Sequence, residues 1–458
     1  MASTGFPGGF PTESTVTDAY DRADSNRAVA CYRYFYPAVS GMMIARGTLA
    51  AGVEYNRVFG TLDTRPLQVG FTLNSDTPYG PMLLDLSVGP LVVEVPQGPI
   101  IAAFLALDQR WVADMGLPGP DAGKGGSYLL LPPGHDGEVP EGYFVARSST
   151  FHVVGGVRAI PVDGDVPAAL RLLTTVKVHP LDPSTPWEEP TWIDLTGKPQ
   201  DTTPVSIERS IEFWRVLHDF ISTEPALEEA RAAYGDLAAL GIEKGTPFDP
   251  DERLQRILAA AAEDGNDQLR VQSFADRRPD RSVWSDRHWE WVTLRPENGF
   301  FQTPGYTDTV AREVWFFQAI ATSPAMFRRQ AGFGSLYWFG ARDDQGDYLD
   351  GSRAYRLEVP LPVPANLFWS VTVYDAETRS QIQTDQGYAA LRSMFELRDA
   401  PVSDSVALHF GPEQPDGDDD HWIRTIPGRG WFAYFRVYGP QTTVFDGTWR
   451  PGDFTAAE

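Results

Sequence analysis

The stretch GFTLNSDTPYG, residues 70–80, sets Asn74, Asp76 and Tyr79 within a few positions of one another and runs into the apolar MLLDL. A carboxylate beside a phenol is equipment for general acid–base chemistry. One group takes a proton while the other gives one, and a well-placed donor contributes roughly 10²–10⁴-fold to a rate. Asp85 alternates with apolar residues in MLLDLS, which sets it on the strand face that can look into a polar cavity. Further on, LDQRWVAD at 107–114 supplies Asp108, Arg110, Trp111 and Asp114. The Arg110 fork matches a carboxylate or phosphate through two parallel hydrogen bonds. A structural reading competes at each place. Asn and Asp side chains fold back on turn N–H groups, Pro78 fixes a bend, and Arg110 pairs with a nearby aspartate.

Two strands in the C-terminal half divide cleanly at period two. In FWSVTVYD, Trp369, Val371 and Val373 form one face, while Phe368, Ser370, Thr372 and Tyr374 form the other. In WFAYFRVY, Trp431, Ala433, Phe435 and Val437 oppose Phe432, Tyr434, Arg436 and Tyr438. The first face of each reads as core, the second as a wall part polar and part aromatic. Arg436, flanked by aromatics, either stacks in a shielded place or snorkels off a sheet edge. Arg312 and Glu313 interrupt the apolar helix YTDTVAREVWFFQA, where ion pairing with other elements is the plainer reading.

Other chemistries lack their residues. The single cysteine, Cys31, rules out intrachain disulfides and thiolate metal cages, and the seven histidines are scattered with no H-E-x-x-H. GPDAGKGGS has the wrong glycine spacing for a phosphate loop, and no Ser or Thr follows Lys124. Neither a G-x-S-x-G elbow nor a dinucleotide fingerprint is present. DGDDDH at 416–421 lacks the EF-hand spacing and reads as a solvated loop. No metal and no cofactor is expected.

The elements that must position these residues follow from pattern. The 458 residues suit two to three domains, and 13 Trp, 17 Tyr and 26 Phe are enough for several cores. Residues 1–16 read as a flexible tail. A helical pattern then runs from about 18 to 51, with Pro37 expected to kink or divide it. Short strands with Gly, Pro and Asp turns fill the rest of a first domain, 17–200. A helical region follows at 201–330, with helix starts expected at Pro225, at Asp251 and at Ser323-Pro324. A second β region occupies 331–458. The expected fold is α+β, mainly β: two antiparallel β-sandwich or jelly-roll-like domains joined by helices.

Sixty-two acidic against 38 basic residues leave a net charge of −24. Such a surface repels nucleic acid and anionic membranes, so neither is an expected partner. The N-terminus has no basic start followed by an apolar core, so no signal peptide is expected, and no apolar run is long enough to span a membrane. Cytoplasmic residence is expected, and self-association stays open.

The run GFTLNSDTPYGPMLLDLSVGPLVVEVP, with GPDAGKGGSYLLLPPG after it, resembles domain of unknown function 1254. GDYLDGSRAYRLEVP, LFWSVTVYDAET and FRVYGPQTTVFDGTWRPGD resemble domain of unknown function 1214, its usual C-terminal companion. The resemblance covers about 20 to 450. It implies two sandwich-like domains around helices, with recurrent polar and aromatic residues of unassigned role. The family's Asn-x-Asp-Thr is Asn74-Ser75-Asp76-Thr77 here. A tryptophan segment that usually begins with Asn is His421-Trp422, which exchanges an amide for a titratable imidazole.

The leading expectation is a cofactor-independent acid/base enzyme, of hydrolase or hydro-lyase type, acting on a small organic molecule with an apolar body. Asp76 is the expected base, Tyr79 or Tyr374 the proton donor, and Arg110 or Arg436 the anion clamp. Asn74, Asp85, Trp111, Arg312, Phe368, Ser370, Tyr434, His421 and Trp422 complete the expected binding wall. The alternative is a non-catalytic binding protein for a hydrophobic small ligand or a protein partner.

Overall fold

Alternating apolar residues build two β-sandwiches in the computed structural model, which describes residues 5–198, 200–292, 295, 301–398, 403–415, 417 and 421–457. In the first sandwich, strands Tyr79–Asp85, His152–Ala159, Ile100–Ala106 and Trp111–Gly116 pair antiparallel in that order. Met82, Leu84, Phe104 and Val157 point from this sheet to a core shared with Leu91, Val93, Tyr128 and Leu130. Those four belong to the second sheet, ordered Lys177–Pro180, Leu91–Val95, Gly126–Leu131, Phe144–Arg147. Burying each such side chain contributes about 1.5–3 kcal/mol.

The second sandwich sets a five-stranded sheet on a four-stranded one. The first is ordered Trp289–Trp291, Ser335–Gly340, Trp431–Pro440, Ala365–Asp375, Ala390–Arg392. Its partner is ordered Trp422–Arg424, Ser405–Gly411, Tyr355–Pro360, Phe454–Ala456. Trp338, Val371, Val373 and Phe435 share their core with Leu357, Leu408, Phe410 and Ile423. The fold is α+β with two such sandwiches, yet the sheets are not wholly antiparallel. The pairs 126–131 with 144–147 and 405–411 with 422–424 run parallel. Two short parallel ladders, Val58–Thr61 with Thr191–Asp194 and Gln68–Val69 with Gln200–Asp201, flank the first sandwich.

Seven α-helices are described: α1 (Glu13–Ala50), α2 (Val166–Leu173), α3 (Ile211–Thr223), α4 (Arg231–Ala239), α5 (Glu252–Phe274), α6 (Thr309–Gln318) and α7 (Pro324–Phe327). The start of α1 is capped by Thr12, inside the segment expected to be a tail. It runs through Pro37 as one helix, so the proline does not divide it. Tyr32, Phe35, Tyr36 and Val39 are buried on either side of that proline, and their packing outweighs a cost of about 3 kcal/mol. Asp251 caps α5 and Ser323 caps α7, as their sequence patterns predict. Pro225 does not open a helix; α4 begins at Arg231, after a single 3₁₀ turn at Glu228–Ala230.

Helices α1, α3, α5 and α6 form a third core, which also takes in Leu83 from the first sandwich and Phe339, Tyr374, Phe432 and Tyr434 from the second. The two sandwiches therefore meet across the helical layer, outer face toward outer face. Gly41 lets α1 press onto the first sandwich: a Cβ there would sit 1.7 Å from the Leu107 carbonyl oxygen. Among the described residues no helix is long and apolar enough to cross a membrane. Of the acidic run 416–421, positions 416 and 418–420 lie outside the described residues.

Candidate functional site

Sheet register lays out the floor of one cavity. Tyr79 pairs with Arg158, and Arg158 with Ile101. The next row up is Pro81, Gly156, Ala103 and Asp114, followed by Leu83, Val154 and Leu105. All of these point away from the sandwich core and line a cavity of about 440 Å³. Its opposite wall is the second sandwich, through Tyr337, Tyr434, Arg436 and Tyr438. The loop 71–74 and the segment from Trp315 to Met326 close its sides.

The wall facing Tyr79 is cationic and phenolic. In the second sandwich, Ser370 pairs with Arg436, Thr372 with Tyr434 and Phe368 with Tyr438, so one face carries all of them. Arg436 is only 4 % exposed. Its guanidinium lies 5.4, 5.5 and 5.0 Å from the ring centroids of Tyr337, Tyr374 and Tyr434. Nη2 donates to the Thr72 carbonyl at 2.7 Å, while Nη1 has no hydrogen-bond partner among the described residues. Arg158 sits between the rings of Tyr79 and Tyr438, at 5.6 and 5.9 Å. Burial opposes the charge on both arginines, and it is outweighed by Tyr79, Tyr438 and Tyr337 around Arg158 and by Tyr374, Tyr438, Tyr337 and Asp76 around Arg436. The Tyr438 hydroxyl is buried and unpartnered among the described residues. Asn74 Nδ2 donates to Tyr79 Oη at 2.7 Å, which leaves the phenolic proton of Tyr79 free to turn toward the cavity.

Asp76 stands behind this wall, fully buried and off the cavity surface. Oδ2 accepts from Ser370 Oγ at 3.0 Å, Oδ1 has no partner among the described residues, and its backbone N–H donates to Asn74 Oδ1 at 3.0 Å. Burial raises its carboxyl above the usual range, with Arg436, Arg392, Ser370 and Arg158 pulling the other way. The Tyr374 hydroxyl donates to the Leu73 carbonyl at 2.6 Å, so it is engaged with backbone rather than presented to the cavity.

The loop holding Asn74 and Asp76 is gripped by its backbone. Besides Arg436 and Tyr374, Gln381 Nε2 donates to the Leu73 carbonyl at 3.0 Å and Arg392 Nη1 to the Ser75 carbonyl at 2.6 Å.

Other expected residues are placed elsewhere. Asp85 ends its strand and accepts from the Ser87 N–H at 2.8 Å, capping a turn instead of facing the cavity. Arg110 pairs with Asp108 at 3.0 Å and with Glu229. Arg312 donates to the Tyr34 carbonyl at 2.6 Å and stacks on the Tyr34 ring at 4.7 Å. Phe368 stacks on Tyr438 with centroids 4.1 Å apart, on the same sheet face but off the cavity surface. Trp422 is buried in the second sandwich, donating to the Gly411 carbonyl at 3.1 Å. His421 lies beside it, where its carbonyl accepts from the His409 N–H.

Arg158 and Tyr337 were not singled out from the sequence, and Asp114 and Tyr438 were named in their strands without a role. Each alternates with core residues in its strand, and FHVVGGVRA and WVADMG each carry one charged residue in an apolar run. Trp111 and Ser323 stand beside the Asp114 carboxylate, which accepts from the Ala325 N–H at 3.3 Å.

Residues 59–180 match the family described as a protein of unknown function (DUF1254), and residues 334–442 one described as a protein of unknown function (DUF1214). The chain is similar to the VPA0106 protein of Vibrio parahaemolyticus, whose crystal structure superposes with a TM-score of 0.58 at 19 % identity. That match covers 95 % of this chain and 100 % of the other, and shows a shared fold. An uncharacterised protein from Burkholderia cenocepacia matches with a TM-score of 0.40 at 12 % identity over 97 % of each chain. No curated protein matches. Arg158 falls in the first matched region and Arg436 in the second.

Proposed function

The chain belongs to the family in which a DUF1254 region precedes a DUF1214 region, and we propose that the cavity walled by both binds and converts a small organic molecule with an apolar body and an anionic head. The chemistry is cofactor-independent acid–base catalysis of hydrolase or hydro-lyase type. Tyr79, which reaches the cavity, gives a proton in one step and as a phenolate beside Arg158 takes one back in the next, Arg436 and Arg158 clamp the anion, and Asp76 acts through Arg436, whose charge it balances.

The observation that carries this reading is the pair of guanidiniums, Arg158 from the first sandwich and Arg436 from the second, that meet among the phenols Tyr79, Tyr337 and Tyr438 at one end of the cavity, within a chain of net charge −24. Holding cations out of water is costly unless an anion or a π-face meets them. The volume, about 440 Å³, falls in the range of small-molecule sites. A second reading, binding without turnover, draws support from the internal hydrogen bonds that occupy Asp76 and Tyr374. Cytoplasmic residence and the absence of nucleic-acid or membrane partners are parts of the same proposal, resting on the charge and the single cysteine.

The test is calorimetric titration with matched pairs of medium-chain carboxylates and their primary amides. The wild type should bind the acids, and Arg158→Met should weaken them about 10–100-fold, as expected for a charge-assisted hydrogen bond. Equal binding of acid and amide would remove the anion site from the proposal.

A further inference from the structure

Asp114 stands across the cavity floor from the cationic wall. Its strand is two away from that of Arg158, about 9.6 Å across, and its row is two residues along, about 6.8 Å, so the two residues are separated by roughly 12 Å at the sheet. Between them the floor is low. Gly156 and Ala103 fill the row, and a Cβ on Gly156 would meet only the Ala103 carbonyl oxygen, at 4.0 Å. Ile101, Leu105, Val154, Ile320 and Met326 supply an aliphatic lining.

We propose that the ligand is bifunctional: a carboxylate or similar oxyanion at one end, held by Arg158 and Arg436, and a hydroxyl or ammonium at the other, donating to Asp114 across an aliphatic spacer. This rests on the anion-binding reading above and extends it to the substrate class. Asp114 is 6 % exposed yet lines the cavity. Its carboxylate already accepts from the Ala325 N–H, with Ser323 and Trp111 beside it. A carboxylate offers about four acceptor sites, so capacity remains for one more donor. The charged and titratable groups facing it are Arg328 and, from the sandwich side, Tyr128. Burial pushes its carboxyl up to about 7. A donor tail therefore finds the better acceptor above neutral pH.

The experiment titrates the full-length protein with octanoate, ω-hydroxyoctanoate and ω-aminooctanoate, then with ω-hydroxy acids of about six to twelve carbons. In the wild type at least one bifunctional acid should bind about tenfold more tightly than octanoate. That advantage should grow as pH rises through 7. Asp114→Asn should erase the advantage and its pH dependence, read as the ratio of bifunctional-acid to octanoate affinity in the same variant, so that a change common to both ligands does not enter. Gly156→Val should weaken the bifunctional acids and spare acetate, which occupies the anion end alone. If octanoate binds and neither bifunctional acid improves on it, the inference falls and the anion site stands. If no carboxylate binds at all, both fall.

Discussion

Asp114 keeps a carboxyl group where ionising it is unfavourable, and this has a cost that can be measured without knowing the ligand. Burial pushes its carboxyl up to about 7, well above the usual carboxylate range near 3.8. The folded protein therefore holds that proton more tightly than the unfolded chain. Its contribution to stability is full below pH 4 and is lost as pH rises toward 7. Each pKa unit is worth about 1.4 kcal/mol, so the loss amounts to roughly 4 kcal/mol. Asp114→Asn should consequently be more stable than the wild type to urea at about pH 8, by roughly 2–4 kcal/mol, with the gap narrowing as pH falls and closed near pH 4. A variant less stable than the wild type at both pH values would mean the carboxylate is a structural acceptor. Residues of this kind are hard to read from sequence. The alternation in WFAYFRVY puts Arg436 on one face with Phe432, Tyr434 and Tyr438, but leaves open whether that face is shielded. Nor does pattern tell Asp76, which lies behind the phenolic wall, from Asp114, which lies on the cavity, because both are single aspartates near apolar runs. Which aspartate borders empty space depends on the neighbouring strand and the facing sandwich.

At the scale of elements, close approach decides more than propensity does. A Cβ at Gly41 would sit 1.7 Å from a backbone oxygen that cannot move without distorting the Leu107 strand end. Gly41→Ala should therefore destabilise by about 1–3 kcal/mol or more, although alanine is the better helix former. Gly235, exposed within α4 and with nothing within 4 Å of its would-be Cβ, should show the opposite sign. Gly235→Ala should stabilise by about 0.5–1 kcal/mol. Thermal unfolding of the two variants side by side checks both. The same principle explains what pattern reading missed. Pro37 is tolerated because the surrounding aromatics are buried, and burial is not visible in a helical wheel. The caps at Asp251 and Ser323 were legible because their physics is local. The parallel ladders at 58–61 and 68–69 are too short for periodicity to register.

For the whole molecule, the joint between helices and second sandwich is a buried ion pair. Arg379 Nη2 meets both Glu208 oxygens, at 2.9 and 2.7 Å, and Tyr36 donates to Glu208 Oε2 at 2.7 Å. Arg379 is fully buried, its guanidinium over Phe71 and Phe317. Arg379→Met leaves a lone buried carboxylate and should cost about 3–5 kcal/mol in urea unfolding. The double variant Arg379→Met, Glu208→Gln should recover a large part of that loss, whereas additive losses would argue against coupling. No sequence pattern announces such a pair, nor the shared cavity, because each joins residues from distant segments. The grip on the loop at 72–75 has a consequence for descent. Arg436, Tyr374, Gln381 and Arg392 hold it by carbonyl oxygens, which every amino acid carries. Changes of side chain at Thr72 and Leu73 pass unseen by those hydrogen bonds, while a change in any of the four holders is felt at once. Across lineages, Leu73 should be freer to drift than Tyr374 and Gln381, which hold its carbonyl oxygen, whereas Asn74 and Ser75, whose side chains bond Tyr79 and Gln381, should not.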